Sequence, residues 1–353
     1  MKKLKQTLLA SFLVWSSISG ADDSFGLKAL PILKIESPVT VDGKFDEPCW
    51  KQASWVDDFV LLGKEEKPQC KTEFAAAYDE KNLYVAVVCH VPGILQAAPQ
   101  EARDTQSMFQ GEVTELFIDP SHDHQTYYQV AVDNGGTIWD SRGADPKWDS
   151  NVQRALTSDE HCWRLELVLP WSDVQGTPEP GHVIGFNLCR ESRNEVGREY
   201  TEWSATKEGF HDPPLFGHLV LSPSIEQMGK LRSELRKGGR TGKLQLSGSA
   251  DFVKQVSLLF ARNALADLDG GLSRLERERD AETQESLRRV LGQIAQTIRG
   301  TTDPLRSKIQ TTPPDAGTDL LAAEHDLNLS LAGLESRTAI WKARLDDLLA
   351  QLL

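Results

Sequence analysis

Phe109-Gln110-Gly111-Glu112-Val113-Thr114-Glu115-Leu116-Phe117-Ile118-Asp119-Pro120, a polar turn through Ser121-His122-Asp123-His124, then Tyr127-Tyr128-Gln129-Val130-Ala131-Val132-Asp133 is the stretch that decides the fold. Its flanks are β-branched and aromatic and its middle is made of turn formers, the pattern of two strands joined by a short loop. Side chains alternate along a strand, so Val113, Glu115 and Phe117 share one face and Thr114, Leu116 and Ile118 the other. Both faces carry apolar residues, as expected for a strand inside a sandwich. Glu115 breaks the pattern. A carboxylate between Val113 and Phe117 costs several kcal/mol if it is buried without partners. It is therefore either tied to hydrogen-bond donors in the core or turned towards a wet concave surface. Gln129, among Tyr128, Val130 and Val132, can share its face. A carboxylate and an amide on one sheet face, with Phe109 just upstream, is the equipment that a hydroxyl-rich, flat-faced ligand requires.

Working outward, residues 39–50 read as a short strand, a turn at Asp42-Gly43 and one helical turn entered through Asp46 and Pro48. Residues 71–78 and 82–90 form a hairpin across Asp79-Glu80-Lys81, its second strand apolar throughout and hence central. Asn134-Gly135-Gly136 is a tight turn. Further strands are expected over 162–170, 183–190, 200–204 and 217–221. About ten short strands with little helix predict a mainly β domain, a two-sheet antiparallel β-sandwich, over residues 31–222.

At Pro223 the composition changes. Residues 237–250 are rich in glycine and basic residues, and 223–249 is expected to be a linker. Leu320, Leu327, Leu334, Trp341 and Leu348 then recur at seven-residue spacing, with Leu331, Leu345 and Leu352 between them. That is an amphipathic helix with a coiled-coil-like seam. Residues 256–298 offer it a partner, with a break expected at Gly270-Gly271. The region 250–353 is expected to be an α-helical hairpin, packed on itself or serving self-association or a protein partner.

The chain's 353 residues, 39% hydrophobic and 26% charged, allow one large or two ordinary domains. Residues 1–5 are basic, 8–18 apolar, and Ser19-Gly20-Ala21 small, so 1–21 reads as a cleaved signal peptide of a secreted or periplasmic protein. The apolar run is short for a membrane span. A net charge of −13 argues against nucleic acid and anionic membranes as partners. Five cysteines, Cys49, Cys70, Cys89, Cys162 and Cys189, leave at least one unpaired in an oxidising compartment, and Cys89 and Cys189 fit a core as well as a bridge. No Cys-x-x-Cys pair occurs.

With the strands placed, the chain resembles the family 9 carbohydrate-binding modules and their wider sugar- and haem-binding sandwich relatives. The matching stretches, in family order, are 41–50, 78–85, Glu115-Leu116-Phe117-Ile118-Asp119, Ile184-Gly185-Phe186-Asn187, Trp203-Ser204 and 210–217. The resemblance implies a sandwich that binds an oligosaccharide or polysaccharide, often as an appendage of a plant-cell-wall hydrolase. It places Phe109 and Phe210 where the family has two stacking tryptophans. Glu115 and Gln129 fall on the family's strand glutamate and on the glutamine of the next strand. Two departures stand out: Ala131 where the family has a sugar-contacting arginine, and His90 near the position of an aspartate. His90 and His211 are further ligand-binding candidates. Trp203 matches a tryptophan read as core.

Other chemistry is less well marked. A glycosidase needs two carboxylates across a cleft, one with a raised pKa, and neither Glu112 nor Glu115 is distinguished as such by spacing. No nucleophile-elbow, zinc-protease or phosphate-loop motif occurs. A haem-binding, electron-transfer relative would combine His90, Met108 and His211 as axial ligands. The loop from Asp140 to Asp149 offers oxygen ligands for a structural calcium ion, or reads as a plain Asp-rich turn. No other cofactor is expected.

Overall fold

A computed structural model describes residues 26–350 apart from 65, 195–196, 240–241, 283–284 and 314–319. The expected signal peptide lies outside the described residues. Thirteen strands are present among those described. They begin with β1 (Leu27–Lys34), β2 (Val60–Leu61), β3 (Thr72–Tyr78), β4 (Asn82–His90), β5 (Val113–Asp119), β6 (Tyr128–Asp133) and β7 (Ile138–Arg142). They continue with β8 (Gln153–Ser158), β9 (Cys162–Pro170), β10 (Val183–Asn194), β11 (Gly197–Glu202), β12 (Gly217–Leu221) and β13 (Leu244–Leu246). The ladder runs β7-β6-β5-β10-β12-β1-β3-β4-β9-β8, one curled sheet that folds into a sandwich at β1.

β1 makes that fold-over. Its residues 29–32 pair with β12, and Leu33 and Lys34 pair with β3. These ladders and the β1–β13 ladder are parallel, whereas the remaining ladders are antiparallel. The interior is filled from both sides by alternation. Leu116, Ile118, Val130 and Val132 come from one sheet, and Phe74, Val85, Val87 and Leu165 from the other.

Aspartates close the turns as the sequence suggests. Asp79 Oδ1 accepts the backbone N–H of Lys81 and of Asn82, both at 2.7 Å, which closes the β3–β4 hairpin. Between residues 41 and 50 the organising group is Glu166. Its Oε2 accepts the N–H groups of Asp42 (2.9 Å) and Gly43 (3.0 Å), and its Oε1 accepts the Trp50 indole N–H at 2.8 Å. Gly43 has φ +79°, a left-handed conformation that favours glycine. Trp203 is wholly buried against Gly217. A Cβ there would come within 2.5 Å of the indole.

The helices are α1 (Pro48–Gln52), α2 (Ile225–Leu231), α3 (Ala250–Ala281), α4 (Glu285–Thr311) and α5 (Leu321–Ala350). The C-terminal region is thus three long helices where a hairpin was expected. The stretch 223–249, read as a linker, carries α2, a 3-10 turn at Glu234–Gly239 and β13, which pairs with Leu27, Lys28 and Ala29 of β1. Its apolar residues pack with both parts of the chain: Met228 and Leu244 share a cluster with Leu27 and Val220 of the sandwich and Val256 and Phe260 of α3. No helix among the described residues is long and apolar enough to cross a membrane.

Leu320, Leu327 and Leu334 are buried against Leu265, Leu268 and Leu272 of α3 and Ile294 and Ile298 of α4. The side chains of Trp341, Leu345, Leu348 and Leu352 lie outside the described residues. No break occurs at Gly270-Gly271, through which α3 runs without interruption. The glycine is spent on close approach: a Cβ at Gly271 would sit 2.9 Å from Leu331 Cδ1 and 3.0 Å from Leu334 Cδ2 of α5, whereas at Gly270 it would meet only Arg274, at 3.8 Å. Gly271→Leu should therefore destabilise the helical region by about 1–3 kcal/mol through overpacking. Gly270→Ala should stabilise it by roughly 0.5–1 kcal/mol. Chemical denaturation followed by helical circular dichroism checks both signs, and equal effects at the two positions would refute the packing argument.

Candidate functional site

The β5 register fixes what lies beside Glu115. It pairs with Ala131 of β6 on one side and Cys189 of β10 on the other, and Ala131 pairs in turn with Trp139 of β7. Paired residues share a face, so Trp139, Ala131, Glu115 and Cys189 form one row across the outer face of the sheet. The neighbouring rows bring Val113 with Glu191, and Gln129 with Phe117. Gln129 is therefore a diagonal neighbour of Glu115. Its Nε2 donates to Glu115 Oε2 at 2.5 Å, and Ser141 Oγ donates to its Oε1 at 3.4 Å, which turns the amide's N–H side towards the carboxylate.

Aromatic groups rise on two sides of that row. Phe109 comes from a 3-10 turn, Gln106–Gln110, and meets Trp139 edge to face with ring centroids 5.6 Å apart. Both pack with Met108, Val113 and Ala131. Phe210, on the β11–β12 connection, packs with Phe117 and Tyr200 at 6.3 Å from each. His211 stands edge-on to Phe117 at 5.1 Å and is hydrogen-bonded through Nδ1 to the Tyr127 hydroxyl at 2.9 Å. Arg198 ties the two sides together. Its guanidinium donates to the Phe109 carbonyl at 2.8 Å, lies 4.8 Å from the Tyr200 ring centre and is paired with Glu191. The result is a cleft of about 360 Å³ whose lining includes Phe109, Trp139, Tyr200, Phe210, Glu115 and Gln129. That is at the small end of the ~300–1,000 Å³ usual for small-molecule sites.

Glu115 is only 3% exposed, and its Oε1 has no hydrogen-bond partner in the protein. Burial pushes its pKa up to about 8, with repulsion from Glu191 adding and the Gln129 bond opposing. A buried acceptor of this kind is costly unless something else supplies the donor.

Five of the six sequence candidates, Phe109, Glu115, Gln129, Phe210 and His211, line this cleft. His90 is not among its lining residues. It closes β4, in the other sheet, where its Nε2 is held by Glu73 Oε1 at 2.8 Å. The set His90, Met108 and His211 does not converge: Met108 is buried with Val113 and Ala131, and His211 is on Tyr127. Trp139, Tyr200, Glu191 and Arg198 went unnamed as site residues. Trp139 had a signal in its register opposite Ala131, once β7 is paired. Carboxylates of Asp104, Asp140 and Asp149 gather within 4.8 Å of one another, and Arg103 inserts among them, bonded to Asp140 and 3.6 Å from Asp149. That guanidinium already supplies positive charge to the cluster. All five cysteines are buried free thiols.

The lining groups together make an aromatic-walled cleft with a carboxyl and an amide on its floor, on one outer face of the sandwich. Residues 41–224 match the family described as Carbohydrate family 9 binding domain-like, and the chain belongs to it. Solved structures similar to it include a family 9 module from Caldicellulosiruptor kristjanssonii in complex with cellotriose (16% identity, TM-score 0.43, covering 56% of this chain and 94% of that one). The same kind of module in complex with glucose matches at 17% identity and TM-score 0.43, covering 56% and 96%. No curated protein sequence matches the chain.

The Glu115 carboxyl gives a pH signature. Between the ordinary value of 4.5 and about 8, the folded protein retains a proton that the unfolded chain has lost, so stability falls as pH rises through that window. Glu202, raised to about 7 mainly by burial, acts in the same direction. Glu115→Gln should raise the thermal midpoint by several degrees at pH 8 and change it little at pH 4. A difference independent of pH would contradict a carboxyl held protonated by the fold.

Proposed function

We propose that the cleft binds the end of an oligosaccharide or polysaccharide without cleaving it, in a protein exported through its N-terminal sequence and acting alongside polysaccharide breakdown. The observation that carries this reading is the aromatic-walled cleft over the Glu115–Gln129 pair, with Glu115 Oε1 buried beneath it and lacking a donor within the protein. A sugar hydroxyl supplies the missing donor, while the C–H face of the ring stacks on Phe109, Trp139 or Phe210. Family membership supports carbohydrate as the ligand class. Cellotriose and glucose, bound by the Caldicellulosiruptor modules, are the first ligands to try. The basic and apolar N-terminus supports export. Binding without catalysis is supported by the state of the lining acids. Glu191 is engaged by Arg198, and Glu115 lies on the floor in the same sheet, so the two do not stand on opposite sides of a bond.

Phenylalanine platforms are smaller than tryptophan, and Ala131 offers no guanidinium. Affinity is therefore expected on the order of micromolar to millimolar. Calorimetry with cellotriose, followed by a glycan array, should identify a ligand. Phe109→Ala and Glu115→Ala should each abolish measurable binding while leaving the unfolding transition cooperative. An affinity unchanged in both variants would place the site elsewhere.

A further inference from the structure

Three histidines gather where the sandwich meets the segment that leads to the helices. His122 and His124 lie on the β5–β6 loop and His218 on β12. None of them lines the cleft. Asp119 of β5 and His218 of β12 both pair with Gly185 of β10, where a Cβ would come within 3.0 Å of Asp119 Cβ. His122 and His124 have φ of +52° and +61°, a backbone conformation uncommon outside glycine. Strain of that kind clusters at ligand sites.

The polar contacts here are one proton short. His122 Nδ1 lies 2.8 Å from Glu234 Oε1, His122 Nε2 lies 3.2 Å from His218 Nδ1, and His218 Nε2 lies 3.0 Å from the Leu235 carbonyl. Each of the three contacts needs a hydrogen. A carboxylate and a carbonyl only accept, and two neutral imidazoles bring one N–H each. Burial, outweighing the pull of Glu234, holds the His122 imidazole below its ordinary pKa, so a third proton is not supplied at neutral pH. The tautomers that serve Glu234 and Leu235 then leave two bare lone pairs, on His122 Nε2 and His218 Nδ1, facing each other.

A cation between those nitrogens removes the conflict. Two nitrogens held by one tetrahedral zinc ion at about 2.0–2.1 Å stand about 3.3 Å apart, close to the spacing here. The outer bonds are then those that metal-ligating histidines make through their second nitrogen, one to a carboxylate and one to a backbone carbonyl. Neutral imidazole is also the donor that zinc and its neighbours in the series prefer, whereas calcium takes oxygen.

We infer that His122 Nε2 and His218 Nδ1 are two ligands of a binding site for a divalent transition-metal ion of the zinc class, with His124 as the third. The His124 ring centre is 4.4 Å from that of His122, and its Nε2 is buried without a hydrogen-bond partner. The three residues do not yet bring ligand atoms within 4.8 Å of one another, so the His124 ring turns to complete the set. Glu234, itself paired with Lys237, and the nearby Asp119 offset the charge of the ion. Once bound, the ion joins the β5–β6 loop and β12 to the turn at Glu234–Gly239, and so fastens the sandwich to the segment beyond it.

Calorimetry with zinc chloride alone, on the tag-free and EDTA-treated chain at pH 7, tests this. One ion per chain should bind and raise the thermal midpoint, and affinity should fall as the pH drops below about 6.5 and the imidazoles protonate. His122→Gln should abolish binding. His122 is buried and its variant can lose structure, so Glu234→Ala, which alters a partly exposed side chain, is measured beside it; zinc affinity should fall about 10–100-fold. His90→Gln, in the other sheet, should leave zinc affinity unchanged. No saturable uptake of zinc, with nitrogen-15 spectra showing His122 doubly protonated at pH 7, overturns the inference and explains the contacts by a third proton. Uptake that survives both His122→Gln and Glu234→Ala, or that calcium displaces at equal concentration, overturns the assignment of these residues.

Discussion

Arg190 is the residue on which the sandwich closes. Its guanidinium is fully buried and pairs with buried Glu112 at 2.6 Å. It also donates to the carbonyls of Lys71 (3.1 Å) and His90 (2.9 Å), at the ends of β3 and β4 in the opposite sheet. Glu112 uses its other oxygen to accept the N–H of Arg193 at 3.0 Å. Two charges removed from water are tolerable only when the remaining donors and acceptors are met, and here they are. Loss of either partner would strand the other at a cost of about 3–5 kcal/mol. The pair joins the two sheets at one end of the sandwich, and Glu112 lies three residues after Phe109. The constraint that closes the core thereby also anchors the turn that carries one wall of the cleft.

The outer face of β5 works on the opposite principle. There the polar group is left short of partners. Fold stability would be better served by leucine at position 115, between Val113 and Phe117, than by a carboxyl whose free oxygen meets nothing. A carboxyl that breaks the apolar pattern of its strand beside a cleft is where a ligand is expected. The contrast with Glu166, which accepts three N–H donors on the other sheet, is instructive. Both are carboxylates on strands, but one is fully employed holding a turn and an indole, while the other keeps an oxygen in reserve.

Much of this was legible in the sequence because it follows from period-two alternation. Glu115 and Gln129 share a face, Leu116 and Ile118 fill the core, and Leu320, Leu327 and Leu334 share a packing face, all for reasons of local geometry. What escaped depends on pairing at long range. β1 contains Pro31, which argues against a strand, and is accommodated where the strand passes from one sheet to the other. β8 is an edge strand, half-buried in its middle, exposed at both ends and mostly polar, so it carries no alternation signal. Gly270-Gly271 has the composition of a break, but a helix tolerates glycine where a neighbouring helix must come close. Arg198 belongs to the site through β11, a strand remote in sequence from β5, and no spacing rule connects it to the cleft. His90 was misplaced because a position at a strand end does not reveal to which sheet the strand belongs.

β13 adds a rung beside β1, and α2 and α3 lie over the outer faces of β1 and β12. Binding modules of this general kind are often regarded as cassettes, transferable between enzymes by recombination at flexible joints. This one has no such joint at residue 222. A cut there would bare Leu27, Ala29 and Val220 and leave Leu27, Lys28 and Ala29 with an open ladder edge, the sort of surface that seeks other chains. In this protein the sandwich is not separable at that point. Wherever the cleft is carried, by gene fusion or in an engineered chimera, the helices must travel with it as part of the same inherited unit.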